Sequence, residues 1–314
     1  MATDSSPALD LSQPMATLLR LGTAQAHEKA EHSKGAAWLT RGELDRDEYI
    51  RFLMMLYHVY SALERALDRH AAHPVLAPTY NPALLARAPS LAADIAFLLQ
   101  ASSDWQAHPL HTELLAHPPP TFAQYVARLD ELAEADPAPL LAHAYVRYLG
   151  DLSGGQFIRR RLAKAYGLED GRGLSFYDFA PLGAANAGGA TIGDMKKIKE
   201  WYRDGMNAGA GDNAAAKDAI LREAGLAFDL NTGLFDTLRP PTSLSTPDSV
   251  AVTSVESTKA GQLRDPHEAV YRQFSVLSLI AALILAHYFL ASRGMSVEDC
   301  LVWRVEALKP WLSS

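Results

Sequence analysis

Cysteine is nearly absent: Cys300 is the only one in 314 residues. That excludes an intramolecular disulfide framework and fits a reducing compartment. A basic excess is lacking too. Net charge is −7 and the pI about 5.9, so no nucleic acid is expected as a partner, because phosphate binding needs a basic surface. The opening MATDSSPALDLSQP has no basic stretch followed by an apolar run, so it is read as a disordered lead-in over residues 1–14 and not as a signal peptide. Alternating strand patterns are scarce. No G-x-G-x-x-G follows a strand, so the chain brings no dinucleotide site of its own. The Glu-x-x-His spacing of di-metal helical bundles is absent from residues 26–33, which disfavours such a centre.

What is present is helical periodicity, from about residue 15 to 238. Between residues 45 and 70, Tyr49, Phe52, Leu53, Leu56, Tyr60, Leu63 and Leu67 recur at threes and fours, an apolar stripe with charges opposite. Asp45 and Glu48 have the spacing of a capping box at its start. A second helix is expected from Thr121, with Gln124 as its partner. A third is expected after Asp136, with Pro137 in its first turn. Further helices are expected over 91–100, 191–206 and 213–237. Gly- and Pro-rich stretches (HPVLAPTYNP, AHPPP, APLGAANAGGA) punctuate them.

After Arg239 the composition changes. Residues 239–270 are rich in Ser, Thr and Pro and read as a linker that buries too little to order itself. Then comes FSVLSLIAALILAHYFLA, residues 274–291, long enough at about 1.5 Å per residue to cross a thin bilayer. Residues 272–292 are therefore expected to be a single transmembrane helix, with 293–314 a short tail. An anchor so placed implies a helical domain facing the cytosol.

The densest signal is AHAYVRYLGDLSGGQFIRRRLAKAYG, residues 142–167. Gly150, Gly154 and Gly155 interrupt a helical pattern that resumes at Gln156. Each glycine in a helix interior costs about 1 kcal/mol relative to alanine. Gly150 and Gly154, four apart, share a face. Two readings stay open: a Cβ-free, kinkable face where a flat ligand touches backbone, or a helix–loop–helix break or close helix crossing.

YVRYLGDLSGGQ resembles the distal-helix signature of haem oxygenases. TAQAHEKAEHS, LMMLYHVYSALE, and KKIKEWYRDGMN followed by AFDLNTGLFDTL resemble three other segments of that family in the same order, covering roughly residues 15–240. The resemblance implies an all-α, multi-helix haem-oxygenase bundle carrying a C-terminal anchor. It implies a monooxygenase that cleaves haem b at a meso carbon to biliverdin, carbon monoxide and ferrous iron. Haem is both cofactor and substrate, O2 is the co-substrate, and electrons come from NADPH through NADPH–cytochrome P450 reductase, with biliverdin reductase as a further partner. The expected location is the endoplasmic reticulum membrane.

Residue by residue, the resemblance places the iron ligand at His27. Glu31, four residues on, is placed to orient the ring's other nitrogen. His32, His58 and His143 are the rivals. Lys199, Arg203 and Arg20 match basic positions for the haem propionates, with Tyr145 a hydroxyl partner. Asp151 is expected to hold a water network that delivers protons. Tyr60, Arg147 and Asn231 hold those waters, and Gly150 and Gly154 form the backbone face. Two positions depart from the pattern: Val146 replaces a common hydroxyl residue and Ala24 a basic one. A haem-binding protein without ring opening, and a membrane-tethered packing bundle without haem, remain rival functions.

Overall fold

The computed structural model describes residues 9–101, 104–168, 170–183 and 189–244. Among these, helices alternate with turns and no strand occurs. The helices are α1 (Met15–Gly22), α2 (Ala24–Glu31), α3 (Lys34–Arg41), α4 (Arg46–Arg69), α5 (Pro82–Leu85), α6 (Ala88–Leu98), α7 (Pro109–Ala116), α8 (Pro120–Ala135), α9 (Leu140–Gly150), α10 (Gln156–Tyr166), α11 (Ile192–Ala210) and α12 (Ala214–Asp236). Residues Asp151–Gly155 join α9 to α10 as one π-helical turn. The expected linker beyond residue 244, the expected span at 272–292 and the tail at 293–314 lie outside the described residues, as do residues 1–8.

The stripe on α4 makes it the central helix. Tyr49, Leu53, Met54, Met55, Val59, Tyr60 and Leu63 have no exposed surface, and α4 packs against α8, α6 and α9. α12 lies on α9, α2 and α8. Its approach to α3 depends on Gly35, where a Cβ would come within 2.0 Å of the Phe235 carbonyl oxygen. Any side chain there must push the two helices apart.

Several expected helix starts shift, each for an identifiable reason. The capping box at Asp45 does not form: Asp45 makes no cap hydrogen bond. Its Oδ2 instead accepts from the backbone and hydroxyl of Thr242, at 3.0 and 2.5 Å. Glu48 is buried in a pair with Arg51 and also accepts from the Arg239 backbone at 2.9 Å. Both carboxylates thus clasp the chain leaving α12. Thr121 does not cap α8, which starts at Pro120 after Pro119, the position where proline's fixed φ suits a first turn. α9 begins at Leu140, because Pro137–Pro139 form a preceding turn bonded to Asp136. α6 begins at Ala88, three residues before Leu91, and ends at Leu98, with Gln100 at φ 53°.

α11 has the capping box of Thr191 with Asp194 and runs on to Ala210. α12 is capped by the Asn213 side chain, which accepts from the Ala216 backbone at 3.0 Å. Residues 9–14, part of the expected lead-in, are held in place. The Nζ of buried Lys217 donates to the carbonyls of Leu11 and Gln13, at 3.0 and 2.9 Å.

Candidate active site

α2, α9 and α12 meet in a small apolar cluster separate from the main core: Ala30, Val146, Ala227 and Phe228, with Ala26 and Tyr145 packed against it. The His27 ring stands beside this cluster, edge-on to Phe228 at 5.9 Å between centroids. It is far from buried, with 65% of its side-chain surface exposed. Its Nδ1 lies 3.7 Å from Glu31 Oε2. That is within ion-pair reach but too long for the orienting hydrogen bond expected of Glu31.

From Val146 the same face of the helix continues, at steps of four, to Gly150 and Gly154. Both glycines are exposed, and a Cβ on either would meet nothing within 4 Å. The third glycine is different: Gly155 is buried, and its Cβ would stand 3.3 Å from the Tyr177 ring. The expected helix break is instead a widening, the π-turn 151–155. A π-turn displaces carbonyls from their usual partners. Here the Gln156 side-chain amide donates to the Tyr177 carbonyl at 2.8 Å and to the Asp151 carbonyl at 3.4 Å.

The π-turn also aims Asp151 inward. Asp151 is 6% exposed, and one of its oxygens accepts from the Tyr60 hydroxyl. Tyr60 in turn accepts from Arg147 Nε at 3.1 Å, and Arg147 donates to Asn231 Oδ1. The guanidinium carbon sits 4.9 Å from the Tyr60 ring centroid. Four side chains from α4, α9, the π-turn and α12 thus form one buried chain. Burial pushes the Asp151 carboxyl up to about 6, against the opposing pull of Arg147, the Tyr60 hydrogen bond and Arg87. Burial likewise holds the Tyr60 phenol well above its ordinary range. Arg147 remains a cation, because Tyr60 and Asp151 more than offset its desolvation.

Cations stand along α11. Lys199 is half-buried and donates to Ser153 Oγ at 3.3 Å, and Arg203, one turn on, is exposed. Desolvation, then the charge of Arg203, lowers the Lys199 pKa. α1 packs on α11 and carries exposed Arg20 in its last turn.

The rival histidines are otherwise engaged. His143 is fully buried, with Nε2 2.9 Å from Glu223. His58 stacks on His111 with Nε2 atoms 2.9 Å apart. His32 turns Nδ1 onto the Glu28 carbonyl of its own helix, at 2.8 Å. Val146 is part of the apolar cluster, and Ala24 is an exposed residue at the start of α2.

Three neighbours of the site are not among the candidates above. Phe228 is one helical turn before Asn231, so helical spacing could have found it. Tyr125 is a fully buried phenol whose hydroxyl has no hydrogen-bond partner among the described residues. Its only sequence signal is a hydroxyl within an apolar stripe. Arg87, 36 residues away from Arg51 and far from every motif, is buried against the carbonyls of Leu84, Leu85 and Phe176, and no local pattern announces it.

An exposed imidazole, a Cβ-free helix face and an apolar wall suit a flat, largely apolar ligand with a metal at its centre, and the α11 cations suit acidic groups on its edge. This assigns Gly154 an expected behaviour. Gly154→Ala should leave thermal stability unchanged or raise it by up to about 1 kcal/mol, because the Cβ enters open space. Gly154→Trp should fold equally well yet weaken binding of such a ligand, followed by absorbance titration. A tryptophan variant that binds it like the parent would place the ligand elsewhere.

The heme oxygenase family model matches residues 13–237 of the chain. Human heme oxygenase 1 is 34% identical over 230 residues, 73% of either chain. Heme oxygenase 2 of the cyanobacterium Synechocystis is 36% identical over 217 residues, 69% of this chain and 80% of that one. Among solved structures, the heme oxygenase of Leptospira interrogans superposes with a TM-score of 0.61 at 34% identity, covering 72% of this chain and 100% of the other. Heme oxygenase-1 of Synechocystis, solved in complex with heme, gives a TM-score of 0.59 at 32% identity, covering 72% and 92%.

Proposed function

The chain belongs to the haem oxygenase family, and on that premise we propose how its own residues open haem b at a meso carbon to biliverdin, carbon monoxide and ferrous iron, with O2 as co-substrate. Its substrate is haem, which supplies both the iron that activates oxygen and the ring that is cleaved. The observation that carries the reading is the pairing of exposed His27, and of Gly150 and Gly154 facing open space, with the buried Tyr60–Asp151–Arg147–Asn231 chain.

His27 would hold the iron. A neutral imidazole would donate less electron density to the iron than a thiolate does. Gly150 and Gly154, exposed and without Cβ atoms, would leave room for the ring and for oxygen on their face. Asp151 accepts a hydrogen bond from the Tyr60 hydroxyl and, with a pKa about 6, would be an acceptor for water at neutral pH. Arg147 and Asn231 fix Tyr60 in that role. Lys199, Arg203 and Arg20 would fix the rotation of the ring by its propionates, with Tyr145 beside them.

A haem-storage role fits the cleft but not the network. A desolvated carboxylate held at neutral pH destabilises the fold and is useful where protons must move. We further propose that electrons come from NADPH by way of NADPH–cytochrome P450 reductase and that biliverdin reductase takes the product. The apolar run 274–291 is proposed to anchor the chain in the endoplasmic reticulum membrane with the helical part facing the cytosol. The length of that run, its bracketing by Arg272 and Arg293 and the polar stretch before it support this reading.

The test loads the full chain with haemin and follows absorbance in air as NADPH and the reductase are supplied. Decay of the Soret band with growth of a biliverdin spectrum and carbon monoxide release is expected. A Soret band that forms and then persists through reduction and oxygenation would make the chain a haem carrier.

A further inference from the structure

Tyr60, the residue bonded to Asp151, begins a file of rings that ends at the surface. Its ring centroid lies 6.2 Å from that of Tyr148 on α9. Tyr148 lies 6.3 Å from Tyr202 on α11, and Tyr202 lies 6.1 Å from Trp201. The three tyrosines are buried, at 0, 3 and 1% exposure, whereas Trp201 is partly exposed. Ring contacts at this spacing are ordinary core packing. Two features set this file apart.

The first is that every ring in it is a phenol or an indole, the side chains most readily oxidised by one electron. A second file leaves Tyr60 in another direction, through Phe176 at 5.6 Å, Tyr177 at 4.7 Å beyond it, and then Tyr49 and Tyr166. Phenylalanine yields an electron far less readily, so Phe176 interrupts that file and nothing interrupts the first. The second feature is proton management. A buried phenol gives up an electron readily only when its proton has somewhere to go. Tyr60 donates to Asp151. Tyr148 and Tyr202 line one partly open cleft with Glu64 and Asp68. Burial, then the charge of Glu64, raises the Tyr148 phenol, and burial brings the Glu64 carboxyl itself to about 7, where it exchanges protons near neutrality.

We propose that Trp201, Tyr202, Tyr148 and Tyr60 form a one-electron conduit from the surface to the haem site, which returns peroxide-oxidised haem to haemin with its ring intact. The proposal rests on the haem reading only in placing the oxidant beside Asp151. An organic hydroperoxide takes two electrons and two protons to become an alcohol and water, and haemin lends both electrons. Each is restored by one ascorbate in solution, which loses an electron and a proton and leaves as a radical. The electron enters at Trp201 and passes through Tyr202 and Tyr148 to Tyr60. Tyr60 gives its electron to the haem and its proton to Asp151, and takes the proton back when Tyr148 refills it. Tunnelling falls off exponentially with distance, so three short steps outrun one long one.

The test adds tert-butyl hydroperoxide and a nitroso spin trap to the haemin-loaded full chain and locates the trapped adduct by mass spectrometry. The adduct is expected on Trp201. Trp201→Phe should move it inward, onto tyrosine, and ascorbate should then protect the Soret band from bleaching less than in the parent. Tyr148→Phe should lose the Trp201 adduct, and Tyr166→Phe should keep it. All three should bind haemin and form biliverdin with the reductase like the parent, and thermal melts check their folding. If Tyr148→Phe folds poorly, the half-exposed Trp201 still decides the matter. No adduct, an adduct on Tyr166 in place of Trp201, or an undiminished Trp201 adduct in Tyr148→Phe would each overturn the conduit. A chain that holds haem without opening it would fail the absorbance assay and still show the Trp201 adduct.

Discussion

Asp151→Ala is expected to bind haemin normally and to lose biliverdin formation by roughly 10²- to 10⁴-fold, the range that a positioned proton-transfer group contributes. The variant should consume oxygen in peroxidase-like side reactions instead, because the cleft stays open while its proton supply is gone. In the parent, biliverdin yield should fall as pH drops below about 6, where the Asp151 carboxylate becomes protonated. The acid limb should vanish in Asp151→Asn.

The same residue gives a stability test of opposite sign from most acidic groups. Its folded pKa is raised, so its ionisation favours the unfolded chain. The stability tied to its protonated form is complete below the ordinary carboxylate range and is lost as pH rises through about 6. At pH 8, Asp151→Asn should therefore unfold at a higher temperature than the parent, by a free energy of roughly 2–3 kcal/mol. Normal biliverdin yield from Asp151→Ala would remove Asp151 from the mechanism. Lower stability in Asp151→Asn would mean that the hydrogen bond from Tyr60 outweighs the burial.

His27→Ala should have the second large effect. Loss of a ligand's supporting partner weakens metal binding about 10- to 100-fold, and loss of the ligand itself should weaken haemin at least as much and shift the Soret band. Because His27 is mostly exposed, the haem-free variant should melt within about 0.5 kcal/mol of the parent. His143→Ala should do the reverse. It leaves Glu223 facing a void and lowers stability, while the haemin spectrum stays parental. A parental spectrum in His27→Ala would assign the iron to another residue.

How much of this was legible beforehand differs by element. The stripe of α4 and the helix starts at residues 191 and 213 were readable, because both signals are local: a side chain three or four residues away decides them. Asp45 and Glu48 carried an equally good local signal and misled. Residues nearly 200 positions away, Arg239 and Thr242, compete for the same carboxylates. The three glycines after Leu149 advertised an irregularity but not its form. A break, a kink and a π-turn all tolerate glycine, and the choice followed from Tyr177 packing under Gly155 and from Gln156 meeting the displaced carbonyl.

The candidate residues were named from motif resemblance, and the fold brings Tyr60, Arg147, Asp151 and Asn231 into one buried chain. It sets His27 and the α11 cations apart from that chain, at solvent-exposed or half-buried positions. Arg87 went unnoticed because nothing near it in sequence marks it.

By itself, then, the sequence determined the helical class, the order of four recognisable segments and the types of residue offered to haem. Periodicity and residue identity are properties of short stretches. Only the tertiary structure decided which histidine remained free, that Asp151 would be desolvated enough to titrate near 6, and that Tyr60, Tyr148, Tyr202 and Trp201 would line up ring by ring. Burial and competition for partners depend on groups distant in the chain, and their energies exist only once the helices have packed.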